Sequence, residues 1–313
     1  MAQQISALNF GDFQLKLSHY TETYMLKKAA FLSTDNLENF FTYDKLLIEP
    51  MKKSGWLAEE ISWRDEATDW SHYDAVIVRS TWDYQHDSEK FFRVLQKINS
   101  LTHLENDLAL MKWNMNKNYL NDLKNKGVLI VNTLWKNKFD RKEALNYFEQ
   151  LGTEEIIIKP NISASADRTF RLNKHSLLQS FDILENIFTE RDFMVQPFIK
   201  NIVEEGEYSL FFFNGKLSHS VLKTPKENDF RVQEEHGGNI KPVTASGFIT
   251  DVAKNVINKL SSVPLYARVD LVRVHKNQFA LMELEVIEPS LYLNKDPEAP
   301  HKFVKAFLEK IDH

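Results

Sequence analysis

The chain has 313 residues, of which 43% are hydrophobic and 27% charged, and its formal net charge at neutral pH is −5. This composition is typical of a globular protein with two or three domains, and it gives no overall attraction to nucleic acid or to an anionic membrane. The absence of cysteine excludes disulfides, thiolate metal sites and cysteine nucleophiles, and no apolar run is long enough to span a membrane. We therefore expect a cytoplasmic α/β protein.

Residues 1–26 precede the first strong strand signal and are predicted to be an N-terminal extension. Met25 is followed by Leu26, Lys27 and Lys28 and would serve as a translation start. The extension is thus either a packed segment or an upstream over-extension of the reading frame, and the sequence leaves both alternatives open.

The first predicted domain, residues 27–113, alternates strands with helices. Strands are expected at residues 29–33, 56–63 and 74–79, and helices at residues 43–53 and 87–98. Such alternation favours a small parallel sheet, whose ligands usually bind beyond the carboxyl ends of the strands.

A polar and aromatic cluster follows the third of these strands: Arg79, Ser80, Thr81, Trp82, Asp83 and Tyr84. Because it lies at the carboxyl end of a strand, the cluster is a candidate substrate contact. The alternative is a capped turn that packs Trp82 into the core.

Two further domains with mixed helices and strands are predicted at residues 114–200 and 201–313. The first has helix patterns at residues 116–126, 141–151 and 174–188, and strand patterns at residues 128–132, 155–160, 169–172 and 193–199. The second has strands at 208–213 and 216–222 joined by Asn214-Gly215, a strong hairpin signal, and helices at 248–260 and 301–311.

The most informative stretch is a predicted antiparallel hairpin formed by residues 266–274 and 279–287. A turn centred on Lys276-Asn277 places Asp270 opposite Glu283 and Arg268 opposite Glu285. Since side chains alternate along a strand, Asp270, Glu283 and Glu285 share one face, where two opposed carboxylates repel by roughly 3 kcal/mol. A hard divalent cation would relieve this repulsion. The alternative is that Arg268 and Arg273 neutralise the acids as cross-strand pairs.

Several other residue types suit an anionic or heterocyclic ligand. Lys159 ends a β-branched strand beside a run of small residues, where backbone N–H groups can approach phosphate oxygens. Lys117 lies near a helix start, and residues 194–199 (MVQPFI) could form a flat apolar slot. The structural alternatives are a solvated lysine and a core strand that ends at a kink. Further charged and donor residues follow: Glu207, Lys223, Arg231 and His236.

The order of these features along the chain resembles the ATP-grasp superfamily, and within it the prokaryotic glutathione synthetase type. The resemblance covers residues 27–293 and is strongest with the branch that contains a D-cycloserine-forming cyclo-ligase, which acts on O-ureidoserine. Its most specific segments are residues 79–84 (RSTWDY), 233–238 (QEEHGG) and 282–290 (MELEVIEPS). It implies an ATP-grasp fold, in which a small parallel N-terminal domain precedes two α+β subdomains that enclose the nucleotide.

The resemblance also implies roles for individual residues. Those expected to bind ATP are Lys117, Lys159, Ser163, Ser165, Gln196, Phe198 and Glu207. Asp270, Glu283 and Glu285 would hold Mg²⁺, with Mn²⁺ as an alternative. Lys223 and Arg231 would be catalytic, through the γ-phosphoryl group and the acyl phosphate. The acceptor substrate is expected to face Arg79, Ser80, Thr81, Asp83, Tyr84, His236, Gly237 and Ser290.

The lid over the phosphates, expected at residues 163–169, departs from the family pattern. Family lids are usually rich in glycine, whereas residues 161–168 contain serine and alanine and no glycine. Because alanine and serine resist positive φ, we expect a stiffer or differently shaped lid.

The resemblance implies an ATP-dependent carboxylate–amine ligase that forms an acyl phosphate on a small amino-acid-like substrate. Its partners would be small-molecule carboxylates and amines, without nucleic acid or membrane, and a homodimer is the default expectation for the oligomeric state. Three alternatives remain at this stage: a nucleotide-binding protein without ligase activity, a divalent-metal hydrolase using His219 or His236, and a kinase.

Overall fold

The computed structural model describes residues 26–38, 40–164 and 166–312, so the predicted N-terminal extension lies almost wholly outside the described residues. The first of three sheets is parallel, with strand order β2-β1-β3-β4. Its strands are Lys27–Ser33 (β1), Trp56–Ser62 (β2), Ala75–Ser80 (β3) and His103–Glu105 (β4). The helices of this region are Ile48–Lys53 (α1) and Ser88–Leu101 (α2). The predicted strand–helix alternation of this part is confirmed.

A second sheet is antiparallel, with strand order β5-β8-β6-β7. Its strands are Leu134–Lys136 (β5), Glu155–Pro160 (β6), Phe170–Asn173 (β7) and Phe193–Pro197 (β8). The helices before and around it are Leu108–Asn114 (α3), Tyr119–Asn125 (α4), Arg141–Ala144 (α5), Tyr147–Leu151 (α6), Lys174–Gln179 (α7) and Phe181–Phe188 (α8). Its apolar side chains pack with those of α6 and α8 into a core of their own.

The third sheet has five antiparallel strands in the order β11-β10-β9-β12-β13. They are Glu207–Phe213 (β9), Lys216–Thr224 (β10), Asn239–Pro242 (β11), Tyr266–His275 (β12) and Gln278–Glu285 (β13). The accompanying helices are Asn201–Glu204 (α9), Gly247–Ile257 (α10) and Ala299–Ile311 (α11). Asn214 and Gly215 both have positive φ, as the predicted two-residue hairpin turn requires.

In the part of the β12–β13 hairpin that carries the acids, the two strands pair in the predicted register. Asp270 is opposite Glu283 and Arg268 is opposite Glu285. The register shifts between Asp270 and Leu271, because Leu271 is opposite Leu281 and Met282 is left without a partner. Met282 is therefore the extra residue of a β-bulge, in which two residues of one strand oppose one of the other.

Some predicted elements are wrong in detail. Residues 128–132 form no strand, and only Ile130 makes a single bridge, to Leu281. The predicted helices at 141–151 and 174–188 are each two short helices, and the second is interrupted at Ser180, which leaves the helical φ/ψ region. The short strands β4 and β11 and helix α3 were not predicted.

The first and third sheets share one apolar core with helix α11. Phe31 and Ile77 of the parallel sheet lie in the same cluster as Tyr266, Phe303 and Phe307. The amide of Asn106, just after β4, strengthens this junction by donating to the carbonyls of Tyr266 and Val286 at 2.9 and 2.7 Å. These contacts fix the carboxyl ends of the parallel strands beside the acidic hairpin. None of the described helices is long and apolar enough to cross a membrane.

Candidate functional site

One cavity with about 1340 Å³ of empty space, including its open mouth, lies where the three sheets meet. Each sheet, or the segment just after one of its strands, contributes lining residues: Trp82 and Tyr84 from the first, Ile157 and Lys159 from the second, and Glu207, Lys223, Glu283 and Glu285 from the third. Several of the residues that the sequence selected from distant positions therefore line one cavity.

The three hairpin acids come together at the floor of this cavity. Asp270, Glu283 and Glu285 each offer a carboxylate oxygen, and these oxygens lie within 4.8 Å of one another. Asp270 is buried, whereas Glu283 and Glu285 line the cavity. Hard cations such as Mg²⁺ take carboxylate oxygens as ligands, so the donor set fits such an ion.

Arg268 lies in the same cluster, which supports part of the alternative of cross-strand pairing. Its guanidinium donates to Asp270 at 3.0 Å and also to Glu285. Arg273 instead pairs with Glu205, at 2.6 Å, away from the three acids. One arginine does not neutralise the group: burial, and then the charges of Glu283 and Asp270, raise the pKa of Glu285 to about 7 despite Arg268.

Lys117 contacts Glu283 from the start of the second predicted domain. Its Nζ lies 2.7 Å from Oε1 of Glu283 and donates to the carbonyl of Ser163 at 2.9 Å. Although burial opposes ionisation, the charges of Lys117 and Lys159 lower the pKa of Glu283 to about 2. Lys117 thus bridges the acids and the first residues of the predicted lid.

Lys159 lines the cavity without a close counter-charge. No carboxylate of the described residues lies within 4.0 Å of its ammonium, and its side chain donates no hydrogen bond there. Burial lowers its pKa below the usual value, and the charge of Lys117 acts in the same direction. An anionic ligand would remove this imbalance.

Lys223 and Glu207 form a buried pair at 2.5 Å, and Lys223 also lies 3.3 Å from Asp270. Gly206 makes this pairing possible, because it has a φ of +115° and a Cβ there would lie 2.7 Å from the carbonyl oxygen of Lys223. Burial, and then Asp270, keeps the pKa of Glu207 above its usual value even beside Lys223.

One part of the cavity wall is apolar and formed by Ile157, Phe198, Ile202 and Met282. Phe198 carries the guanidinium of Arg171 over its ring, 3.6 Å from the centroid. Gln196 does not line the cavity, since its buried side chain donates to the hydroxyl of Thr133 at 3.0 Å. The expected contact of Gln196 with the adenine is through its backbone atoms, and this contact stays a prediction.

Arg231 lines the cavity from the loop after β10. Asp229 holds its guanidinium through two contacts, at 3.1 and 2.9 Å, and the pKa of Asp229 falls well below its usual value because of this hydrogen bonding. His236 and Gly237 lie in the following turn and are not among the lining residues, whereas Gln233 and Glu235 are.

Only one of the predicted substrate residues in the first predicted domain lines the cavity. Tyr84 lines the cavity, as does Ser290 of the third domain. Arg79 is buried and pairs with Asp44 at 3.0 Å, Ser80 donates to the same Asp44, and the hydroxyl of Thr81 is buried without a partner.

Asp83 also points away from the cavity. Its carboxylate accepts from the indole of Trp63 at 2.7 Å and from Arg64 at 2.9 Å. Arg79, Ser80, Thr81 and Asp83 thus support the loop after β3 in this structure, and a direct contact of any of them with substrate stays a prediction.

The lid begins at Ser163, which lines the cavity, and Ser165 lies outside the described residues. Ala166 and Arg168 have φ of 56° and 50°, although neither is glycine. Ala166 thus adopts the positive φ that alanine is expected to resist, and the stiffness and shape of the lid stay a prediction.

Several residues that line the cavity were not selected from the sequence: Asn114, Tyr119, Phe230, Glu288 and Tyr292. Glu288 belongs to the segment 282–290 that was recognised as a unit, and its acid character was a usable signal. Asn114 carried no such signal. Its amide hydrogen-bonds the backbone of Leu284 in β13 and of Val286 just after this strand, which only the tertiary structure reveals.

Comparison with known protein families agrees with this geometry. The model described as the prokaryotic glutathione synthetase ATP-grasp domain matches residues 129–291, more than half of the chain. The chain belongs to this family. A second model, described as the N-terminal domain of the D-cycloserine synthetase DcsG, matches residues 29–106 of this ATP-grasp protein.

Individual relatives cover nearly the whole ATP-grasp chain. The cycloserine biosynthesis protein DcsG of Streptomyces lavendulae is 27% identical over 297 residues, which are 90% of this chain and 98% of that protein. A crystal structure of D-cycloserine synthetase DcsG has a TM-score of 0.80 at 24% identity, covering 91% of this chain and 99% of that chain. D-alanine–D-alanine ligase from Bacillus anthracis has a TM-score of 0.64 at 16% identity, covering 91% and 97%.

These comparisons confirm the predicted fold class and enzyme class: the protein is an ATP-dependent ligase with an ATP-grasp fold. The hydrolase alternative also finds no support in His219, which does not line the cavity and hydrogen-bonds the carbonyl of Leu291 at 2.9 Å.

Proposed function

We propose that this ligase joins a small amino-acid-like carboxylate to an amine or related nitrogen nucleophile through an acyl phosphate. The observation that carries the proposal is the cavity itself, which is lined by apolar residues, by a lysine with no carboxylate within 4.0 Å, and by two of the three converging carboxylates, with the third buried beside them. The cycloserine biosynthesis protein among its relatives supports a small amino-acid derivative as the substrate.

The cavity offers suitable surroundings for both ends of ATP. Ile157, Phe198 and Met282 would pack against the adenine, and Glu207 would accept from ribose hydroxyls. Lys159 and Lys117 would bind phosphate oxygens; Lys159 is available without breaking a protein ion pair. Because phosphate is an anion, its binding would offset the buried positive charge of Lys159.

Asp270, Glu283 and Glu285 would hold a divalent cation, for which Mg²⁺ is our first proposal and Mn²⁺ the alternative. When bound, it would neutralise negative charge on the phosphate oxygens of ATP. Lys117 would share the Glu283 carboxylate and so keep the cation-binding acid and the phosphates at a fixed separation.

The reaction would take place in two displacements. A carboxylate oxygen of the substrate attacks the γ-phosphorus, the bond to the β–γ bridging oxygen breaks, and ADP and an acyl phosphate result. The nitrogen nucleophile then attacks the acyl carbon, the carbon–oxygen bond to phosphate breaks, and the nitrogen loses a proton. Lys223 and Arg231 would stabilise the negative charge that develops on the transferred group, and Asp229 would hold Arg231 in position.

An ADP-release assay against a panel of compounds tests the proposal. The panel contains both enantiomers of serine and of O-ureidoserine, with simple dipeptides and hydroxylamine as nitrogen sources, each assayed with and without Mg²⁺. We expect substrate-stimulated ADP release that depends on Mg²⁺, and a product with a new carbon–nitrogen bond by mass spectrometry. Accumulation of a phosphorylated compound without that bond would contradict the ligase mechanism.

Substitution Glu283→Gln tests the cation site. It removes one charge from the carboxylate cluster but keeps the side-chain volume, so we expect ADP release to fall on the order of 10³-fold while the fold is retained. Glu149→Gln, at an exposed position in α6, is the matched control and should leave activity unchanged. Full ATP-dependent activity of Glu283→Gln would show that the assignment of the cation site is wrong.

A further inference from the structure

Glu288 is a buried acid whose role is not explained by the nucleotide or the cation. Five acids of the described chain are buried: Asp44, Glu105, Glu207, Asp270 and Glu288. The first four each have a basic partner within 4.0 Å: Arg79 for Asp44, His103 and Lys310 for Glu105, Lys223 for Glu207, and Arg268 with Lys223 for Asp270. Within the described residues Glu288, which is 7% exposed, has no such partner.

The carboxylate of Glu288 is also separate from the three acids that would hold the cation. The cluster whose oxygens lie within 4.8 Å of one another consists of Asp270, Glu283 and Glu285 and does not include it. Glu288 nevertheless lines the cavity, together with Trp82, Tyr84 and Tyr292. Burial, and then the charge of Glu285, raises the pKa of Glu288 well above its usual value, whereas the charges of Lys117 and Arg268 act in the opposite direction.

The backbone around Glu288 is fixed to the first sheet, so the position of its side chain is set by the fold. The indole of Trp82 donates to the carbonyl of Glu288 at 2.7 Å, and Arg79 donates to the carbonyl of Pro289 at 3.2 Å. Trp82 and Arg79 both belong to the segment 79–84. This gives a physical role to that segment, because it positions residues 288–290 at the cavity.

A carboxylate that is removed from water without a cationic partner is costly, and the cost is offset when a ligand supplies the cation. Aromatic side chains beside the carboxylate favour an organic ammonium group, since the faces of the rings attract a cation. We propose that Glu288 recognises the ammonium group of the amino-acid substrate and so selects amino acids over simple carboxylic acids. This inference rests on the proposed function, because it assigns a specificity residue to the same cavity.

The test compares two probes that differ only in the amino group: O-ureidoserine, as each enantiomer, and 3-(ureidooxy)propionate. Binding of each is measured by calorimetry to the full chain with Mg²⁺ and a non-hydrolysable ATP analogue, so no turnover is needed. We expect the wild-type protein to prefer one O-ureidoserine enantiomer by about 10-fold to 100-fold, the range for a hydrogen bond to a charged group. Glu288→Gln should reduce this preference to about twofold or less by the same criterion.

Two further variants separate recognition from a merely structural effect. Glu288→Asp keeps the charge and should retain part of the preference, and both variants should bind the ATP analogue as the wild type does. Glu235→Gln removes another carboxylate that lines the cavity, from a partly exposed position, and should leave the preference intact.

The inference is overturned if the wild type binds neither probe or binds both equally, if Glu288→Gln keeps the full preference, or if Glu235→Gln abolishes it. These outcomes are distinct from failure of the proposed function. Amino-selective binding without ADP release would support Glu288 as the recognition residue and contradict the ligase mechanism. ADP release that is equal with both probes would support the ligase reaction and contradict the role of Glu288.

Discussion

At the scale of single residues, several of the buried charges at the cavity compensate one another. Lys223 illustrates the point, because its ammonium contacts both Glu207 and Asp270, and Arg268 also contacts Asp270. Removing one member of such a group leaves the others uncompensated in a medium where water cannot stabilise them. Residues that serve the reaction are therefore expected to affect stability as well.

Lys223→Met should lower the free energy of unfolding by about 3 kcal/mol in the absence of nucleotide, because it leaves Glu207 buried without its closest partner. The measurement is urea unfolding at neutral pH. Glu207→Gln in the same chain is the internal control, and the double variant should recover part of the loss. An unchanged midpoint in Lys223→Met would mean that Glu207 finds another partner or is protonated.

His219 gives the protein a pH dependence that is independent of the cavity. Its ring stacks on Phe211 and donates to the carbonyl of Leu291, and burial lowers its pKa from 6.5 to about 4. The unfolded chain takes up a proton near pH 6.5, whereas the folded protein does so only near pH 4. The contribution of His219 to stability is therefore complete above pH 6.5 and is lost as the pH falls toward 4.

We expect the stability of the wild type to fall between pH 7.5 and pH 5, with about 2 kcal/mol of the decrease due to His219. His219→Gln keeps an N–H donor but does not titrate. Between pH 7.5 and pH 5, the free energy of unfolding of this variant should therefore fall by about 2 kcal/mol less than that of the wild type. Denaturant unfolding at both pH values measures the difference. Identical pH dependence in the two proteins would contradict the assigned burial of the ring.

At the scale of elements, the hairpin that carries the acids was predictable because its register depends on local signals. The polar turn at residues 275–278 separates two β-rich runs, and this spacing alone placed Asp270 opposite Glu283. The strand ending at Lys159 was likewise identified by its β-branched residues. The helix breaks within residues 141–151 and 174–188 were not predictable, because tertiary packing, not the apolar period, determines where those helices stop.

The tertiary supports of the hairpin were also beyond sequence reasoning. Asn114 at the end of α3 donates to the carbonyl of Leu284 at 2.9 Å and accepts from the N–H of Val286 at 3.0 Å. An isolated asparagine near a helix end gives no indication of a partner about 170 residues away. The bulge at Met282 was not predictable from the sequence either, since nothing in the alternation of residues 279–287 indicates it.

Asn114→Ala should destabilise the protein by about 2–3 kcal/mol, because the carbonyl of Leu284 and the N–H of Val286 lose their partner in a buried place. It should also reduce the rate of ADP release, since Glu283 and Glu285 flank Leu284. Asn121→Ala, at an exposed position in α4, is the control and should change neither quantity. Wild-type activity and stability in Asn114→Ala would mean that other contacts suffice to hold the strand.

At the scale of the whole molecule, the domains proposed from the sequence, residues 27–113, 114–200 and 201–313, differ in how they are joined. The parallel sheet shares a core with the third sheet and α11, in which Phe31, Tyr266 and Phe303 lie in one cluster. The second sheet has a separate core built on Phe188 and Phe193. Of the three sheets that line the cavity, the first and the third are therefore fixed relative to each other by their common core.

We expect the first and third sheets to unfold in one cooperative step. Four of the six tryptophans lie within residues 56–82, so tryptophan fluorescence reports mainly on the parallel sheet, while far-UV circular dichroism reports on the whole chain. The two thermal transitions should coincide apart from a smaller phase due to the second sheet. A fluorescence transition that is complete before most of the ellipticity is lost would contradict the shared core.

Deleting Met282, which has no partner on β12, would change the apolar end of the proposed nucleotide site and leave its acidic end unchanged. If this single methionine were deleted, residues 270–273 of β12 and their partners on β13 would pair without interruption, and Asp270 would stay opposite Glu283. The edit would take away a thioether from the wall proposed to contact the adenine and leave the acids at the other end in register. A one-residue deletion in an antiparallel ladder usually moves the side chains of a strand to the opposite face of the sheet. Here the deletion would instead restore regular pairing between β12 and β13.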